Sequence, residues 1–117
     1  MKIYESTNKE LLLALKDHNI EGLKEIQSND TEAAVEKHIP EVTVEDGKVH
    51  AVVGSTIHPM MEAHFISWIA LETDNGVQIR YLQPDMSPEA TFVLSEGETP
   101  KAVYEFCNLH GVWKKEI

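Results

Sequence analysis

From Pro40 onward, apolar residues recur at alternate positions in short runs separated by turn-forming residues. Val42 and Val44 lead into Glu45-Asp46-Gly47-Lys48, after which Val49, Ala51 and Val53 resume the alternation. Asp-Gly between two such runs predicts a two-residue hairpin, because that turn needs positive φ at both central positions. His64–Leu71 predicts a long strand that passes through Asp74-Asn75-Gly76 into a second strand over Val77–Leu82. Ala90–Leu94 and Ala102–Phe106 predict two more, with Val112 and Trp113 following. Six or seven short strands with turns at this spacing predict an all-β fold, a β-sandwich.

Residues 1–35 have a different character. Asn8–Leu15 and Gly22–Ile26 are dominated by Lys, Glu, Leu and Ala, which favour helix. Their apolar residues are bunched rather than spaced as a stripe, so helix and strand both stay open.

Length and composition narrow the class. A chain of 117 residues is one domain, or one domain with a small appendage, and can fold on a hydrophobic core alone. Its single cysteine cannot form an internal disulfide, which predicts a reducing, cytoplasmic setting. The apolar patch Leu11–Leu15 is too short for a signal peptide, and no stretch is long enough to span a bilayer. A formal net charge of −10 argues against nucleic acid as a partner, since a basic face supplies most of that affinity. It also raises the question of how such a chain would attract an anion.

The candidate chemistry lies in one cysteine and four histidines. Cys107 and His110 stand three apart before Gly111, where a sharp turn can aim backbone N–H groups at the sulfur. His38 lies two residues before Pro40, His58 directly precedes Pro59, and His64 opens an apolar run. Proline restricts the residue before it, and a bare imidazole against an apolar strand is costly without a partner. His18 and His50 lack such surroundings and are assigned to solvent. A lone cysteine is ordinarily a buried inert thiol, and a lone histidine ordinarily a surface or satisfied core residue. One thiolate with four imidazoles, however, is a mixed soft and borderline ligand set that suits iron. The competing expectation is an immunoglobulin-like binding module with structural zinc or no metal; four-ligand zinc leaves one of these five residues spare.

Glu36-Lys37-His38-Ile39-Pro40, His58-Pro59-Met60, His64 and Cys107-Asn108-Leu109-His110-Gly111-Val112-Trp113 together resemble the superoxide reductases, the desulfoferrodoxin and neelaredoxin family. The resemblance covers nearly all of residues 31–117. It implies an immunoglobulin-like β-sandwich of about seven strands over residues 36–117, holding mononuclear non-haem iron (Fe2+/Fe3+). By position, the imidazole ligands are His38, His58, His64 and His110, and the axial thiolate is Cys107. The implied activity is one-electron reduction of superoxide to hydrogen peroxide, with a rubredoxin-like protein returning the electron. Lys37 is implied to attract superoxide, and Glu36 to close on the open position of the oxidised metal and help expel the product.

Many relatives begin with a small desulforedoxin-like domain that binds a second iron through four cysteines. Residues 1–35 resemble that domain with the ligands lost: Ser6, Lys9, Gln27 and Ser28 fall at the ligand positions, and none can replace a thiolate. The resemblance makes residues 9–28 short strands, against their mild helical propensity, and implies a homo-oligomer, a dimer.

Overall fold

The structure, a computed structural model, describes all of residues 1–117. It contains ten strands and one helical turn in three sheets. The first sheet is built from β1 (Lys2–Ser6), β2 (Leu11–Ala14) and β3 (Leu23–Glu25), with β1 in the middle. The turn α1 (Val35–His38) precedes β4 (Pro40–Glu45) and β5 (Lys48–Val53), and β8 (Glu89–Val93) completes the sheet β4-β5-β8. The remaining strands β6 (Ile66–Thr73), β7 (Val77–Tyr81), β9 (Pro100–Cys107) and β10 (Gly111–Glu116) form the sheet β10-β9-β6-β7. Every pairing between strands is antiparallel.

The alternation along β5 explains the sandwich. Val49, Ala51 and Val53 point inward and pack with Ala90 and Phe92 of β8 against Ile69 and Leu71 of β6 and Val103 and Cys107 of β9. The β4–β5 hairpin has positive φ at both Asp46 and Gly47, as its Asp-Gly pair predicts.

Strands β6 and β9 read as continuous apolar runs because both of their faces are covered. Ala70, Ala102, Tyr104 and Val112 on the second face pack on Ile3 of the N-terminal sheet, with Trp68 and Phe106 stacked at the edge of the cluster. A side-chain amide ties the same layer down: Asn29 accepts from the Lys114 N–H and donates to the Lys114 carbonyl. The segments around Leu11 and Leu23 are strands, so pairing with β1 overrides their helix propensity.

Predicted strand bounds shift. The strand expected from His64 starts at Ile66, because Met61 and His64 bridge each other through reciprocal backbone bonds and close a tight turn first. The register of β6 against β9 then slips between Ile66 and Trp68, a bulge that sets Ile66 opposite Cys107. The helical turn at Val35–His38 had no sequence signal. Ile39 after it is extended, as the proline at 40 requires.

Candidate metal centre

Three segments meet at one end of the sandwich: the turn α1, the loop from Gly54 to Phe65, and the turn between β9 and β10. Each has a local cause. Gly54 sits at φ +88, and a side chain there would collide with the carbonyls of Thr56 and Lys37. That close approach lets the Thr56 N–H and the Ser55 hydroxyl both donate to the Glu36 carbonyl, and the Gly54 N–H to that of Ile39. Gly111 at φ +81 turns the chain back after His110, and a Cβ there would press on the Thr31 hydroxyl at 3.1 Å. Asn108 locks the third segment to the second, accepting from the Phe65 N–H at 2.9 Å and donating to the Ala63 carbonyl at 3.1 Å.

These constraints bring together the five residues singled out from sequence. Ligand atoms of His38, His64, Cys107 and His110 all lie within 4.8 Å of one another. His58 completes the group: its ring centroid is 4.8 Å from that of His38 and 4.6 Å from that of His64. Continuing around, His64 to His110 is 5.1 Å and His110 to His38 is 4.8 Å, while the diagonal from His38 to His64 is 6.5 Å. Four imidazoles thus occupy the corners of a near-square, neighbours inclined at 75° to 90°.

Hydrogen bonding orients the rings. Nδ1–H of His38 donates to the Ala34 carbonyl at 2.7 Å, and Nδ1–H of His58 to the Pro59 carbonyl at 2.6 Å. A carbonyl can only accept, so both rings carry their proton on Nδ1 and turn an Nε2 lone pair inward. The Nε2 atoms of His58 and His64 are buried without any partner. His110 presents Nδ1 to the same space, 3.1 Å from His38 Nε2 and 3.7 Å from the Cys107 sulfur. Trp113 stacks on the His38 ring at 4.9 Å and donates its indole N–H to the His110 carbonyl.

Burial disfavours the charged forms of His38, His58, His64 and Cys107. Burial lowers the pKa of His38, His58 and His64, taking His58 to about 4. Burial raises the pKa of the Cys107 thiol, and backbone N–H groups of Leu109 and His110 partly offset this. Inward lone pairs, two of them orphaned, and one sulfur are what a soft or borderline cation requires; the residues fit iron, whose charge would hold the thiol deprotonated. A four-coordinate zinc on His38, His64, Cys107 and His110 would leave the buried Nε2 of His58 unsatisfied.

Lys37 and Glu36 are exposed on the turn that carries His38, and no ion pair joins them. The Lys37 charge depresses the pKa of both His38 and His64, whereas Glu36 acts on His38 alone. His18 is exposed and His50 half-buried, bonded to Thr91 and apart from the group. Met60 packs on the core, and Met61 is exposed.

Sequence reasoning missed Glu105. It is fully buried with both carboxylate oxygens unpartnered, and burial raises its pKa well above the ordinary value by penalising the charged form. Strand alternation places it on the face of β9 that bears Cys107; that parity was the available signal.

Fold and site together define a β-sandwich protein with a mononuclear histidine–cysteine centre. The desulfoferrodoxin family model matches residues 30–116, and the chain belongs to that family. It is 41% identical over 97 residues to a desulfoferrodoxin of Clostridium acetobutylicum, covering 83% of this chain and 75% of the relative. Among solved structures it is similar to the superoxide reductase of Treponema pallidum, with a TM-score of 0.83 and 36% identity over 99% of this chain and all of that one (100%). A superoxide reductase of Giardia intestinalis gives a TM-score of 0.60 and 31% identity, over 70% of this chain and 97% of its own. No helix is long and apolar enough to cross a membrane.

Proposed function

We propose that this protein is a superoxide reductase, a cytoplasmic enzyme that reduces superoxide to hydrogen peroxide at one iron held by His38, His58, His64, His110 and Cys107. The observation that carries this reading is the near-square of four inward-turned imidazoles beside a single buried thiol. When bound, iron supplies one electron to each superoxide, two protons complete the peroxide, and an external one-electron donor restores the ferrous state.

The chain's own residues prepare that chemistry. Carbonyls of Ala34 and Pro59 hold two rings by their outer nitrogens, so the inner nitrogens meet the metal without reorientation. The N–H groups of Leu109 and His110 stabilise the Cys107 thiolate against its burial. Lys37 answers the problem of a net charge of −10: distributed surface charge is screened beyond a Debye length of about 8 Å. An ammonium about 4 Å from an anion is worth roughly 4 kcal/mol at an effective dielectric near 20. Glu36, on the same turn, would be the carboxylate that helps expel the product.

Residues 1–35 are read as a desulforedoxin-like module that keeps its strands without metal ligands. Ser6 supports this, since its hydroxyl accepts the N–H groups of Asn8 and Glu10 and closes a turn. Residues 1–35 contain no cysteine, Cys107 being the one in the sequence, so they offer no thiolate for a second iron, and the donor is assigned as a separate rubredoxin-like protein. The family reading also implies a homodimer.

Metal analysis of anaerobically purified protein, followed by superoxide consumption with rubredoxin as donor, tests the proposal. One iron per chain with consumption of superoxide supports it; colourless zinc protein without activity overturns it.

A further inference from the structure

We propose that Asn29 is a positioning residue for His38, because it anchors both the carbonyl and the indole that hold that ring. The proposal rests on the iron reading of the site and gives residues 1–35 a part in it that needs no metal of their own. β10 is an outer strand of its sheet, and Asn29 binds along its free edge. The Asn29 N–H donates to the Val112 carbonyl at 3.0 Å. Its side-chain oxygen accepts the Lys114 N–H at 2.6 Å, and its Nδ2 donates to the Lys114 carbonyl at 3.1 Å. One residue thus satisfies edge groups that a further strand would otherwise pair. It does so with a φ of 61°, in the left-handed region that asparagine tolerates better than most residues.

The two residues so bound, Val112 and Lys114, flank Trp113. Strand alternation turns the Trp113 side chain to the opposite face from theirs, into the sandwich, where it is buried. There it stacks on the His38 ring at 4.9 Å and donates to the His110 carbonyl at 3.1 Å.

Along the chain, Asn29 leads through Asp30-Thr31-Glu32-Ala33 to Ala34, whose carbonyl accepts the His38 Nδ1–H at 2.7 Å. No backbone N–H of residues 30–34 donates to a backbone carbonyl. The helical turn that follows has no side-chain cap at its N-terminus, so nothing local holds Ala34 from upstream. The upstream anchors are Asn29 and the contact of Thr31 with Gly111. His38 therefore lies inside a closed circuit. One arm runs from Asn29 along the chain to the Ala34 carbonyl, and the other crosses to β10 and the Trp113 indole. Loosening Asn29 frees both arms together. Partners that fix the outer nitrogen of a ligand imidazole are typically worth about 10–100-fold in metal affinity, so a residue that places such a partner should fall near the lower figure.

Hydrogen exchange of the histidine ring protons in 15N-labelled apoprotein, read by NMR, tests the proposal with no metal present. Asn29→Gly keeps the backbone N–H and suits the positive φ while removing the amide. It should speed exchange of the His38 Nδ1–H about tenfold and leave that of His58, held by the Pro59 carbonyl, unchanged. Asn29→Asp keeps the oxygen that Lys114 binds and loses the donor, so it should fall between Asn29→Gly and the wild type. Lys114→Ala leaves both of its backbone groups in place and should match the wild type. In iron-loaded protein, Asn29→Gly should release iron to a chelator about tenfold faster. An unchanged His38 exchange rate in Asn29→Gly, or equal acceleration at His38 and His58 as in general loosening, overturns the proposal. A selective effect on the His38 proton in a chain that takes up no iron would sink the iron reading and leave the positioning of this ring standing. One iron per chain with His38 exchange unaffected would sink the positioning role alone.

Discussion

Nε2 of His38 and Nδ1 of His110 stand 3.1 Å apart although 72 residues separate them in the chain. Metal–nitrogen bonds of about 2.0–2.1 Å set at a right angle would place two nitrogens about 3 Å apart. His38 Nε2 carries no proton, because its Nδ1–H is given to the Ala34 carbonyl. The pair therefore has the spacing of adjacent ligands around one ion.

Cys107→Ser should remove the sulfur-to-iron charge-transfer colour of the oxidised protein and most of its activity. A hydroxyl is a harder, weaker donor than a thiolate, and the chain has no other thiol to replace it. Optical spectra with iron analysis check this, and an unchanged colour would refute the thiolate assignment.

Lys37→Ile should slow reaction with superoxide by about tenfold or more, in the range attributed to local charge steering. Iron content should not change, because the side chain is exposed and the His38 ring is held by backbone. Pulse radiolysis measures the rate; a wild-type value would end the steering role.

The pH dependence follows from the depressed histidines. With folded pKa values below the unfolded value, these rings stay neutral where the unfolded chain has already taken up protons, so apoprotein stability falls as pH drops below about 6.5. His58 resists protonation to about 4, so iron should be kept below pH 6 and released on approach to that value. Iron release on titration between pH 8 and 6.5 would show that the rings do not act as the ligand set.

Glu105 gives a dependence of opposite sign. Its raised folded pKa means that its contribution to stability is present in acid and lost as pH rises above the ordinary carboxylate value. In the apoprotein, Glu105→Gln should unfold at higher urea than the wild type at pH 8, with the gap closing toward pH 5. Histidine titration is common to both proteins and cancels in the difference. Equal midpoints throughout would mean that Glu105 is ionised and paired.

What could be read from the sequence was what repeats or what chemistry demands. The sandwich followed from alternation at Val49, Ala51 and Val53 and from Asp46-Gly47. The site followed from uncommon residue types beside Pro40, Pro59 and Gly111, which mark where the chain must turn. The one-turn helix at Glu36 and Lys37 was not legible, because it is set by distant groups on Gly54, Ser55 and Thr56 rather than by its own propensity. The N-terminal strands were legible only through resemblance, since their local preference points the other way. Glu105 escaped because carboxylates are ordinarily exposed, and only its parity with Cys107 placed it inside.

The central claim is that four imidazoles and one thiolate share a single iron. Iron-edge X-ray absorption of anaerobically prepared protein tests it most directly. The account predicts one sulfur scatterer and four imidazole nitrogens per iron; a spectrum without sulfur, or protein that carries zinc in place of iron, would contradict it.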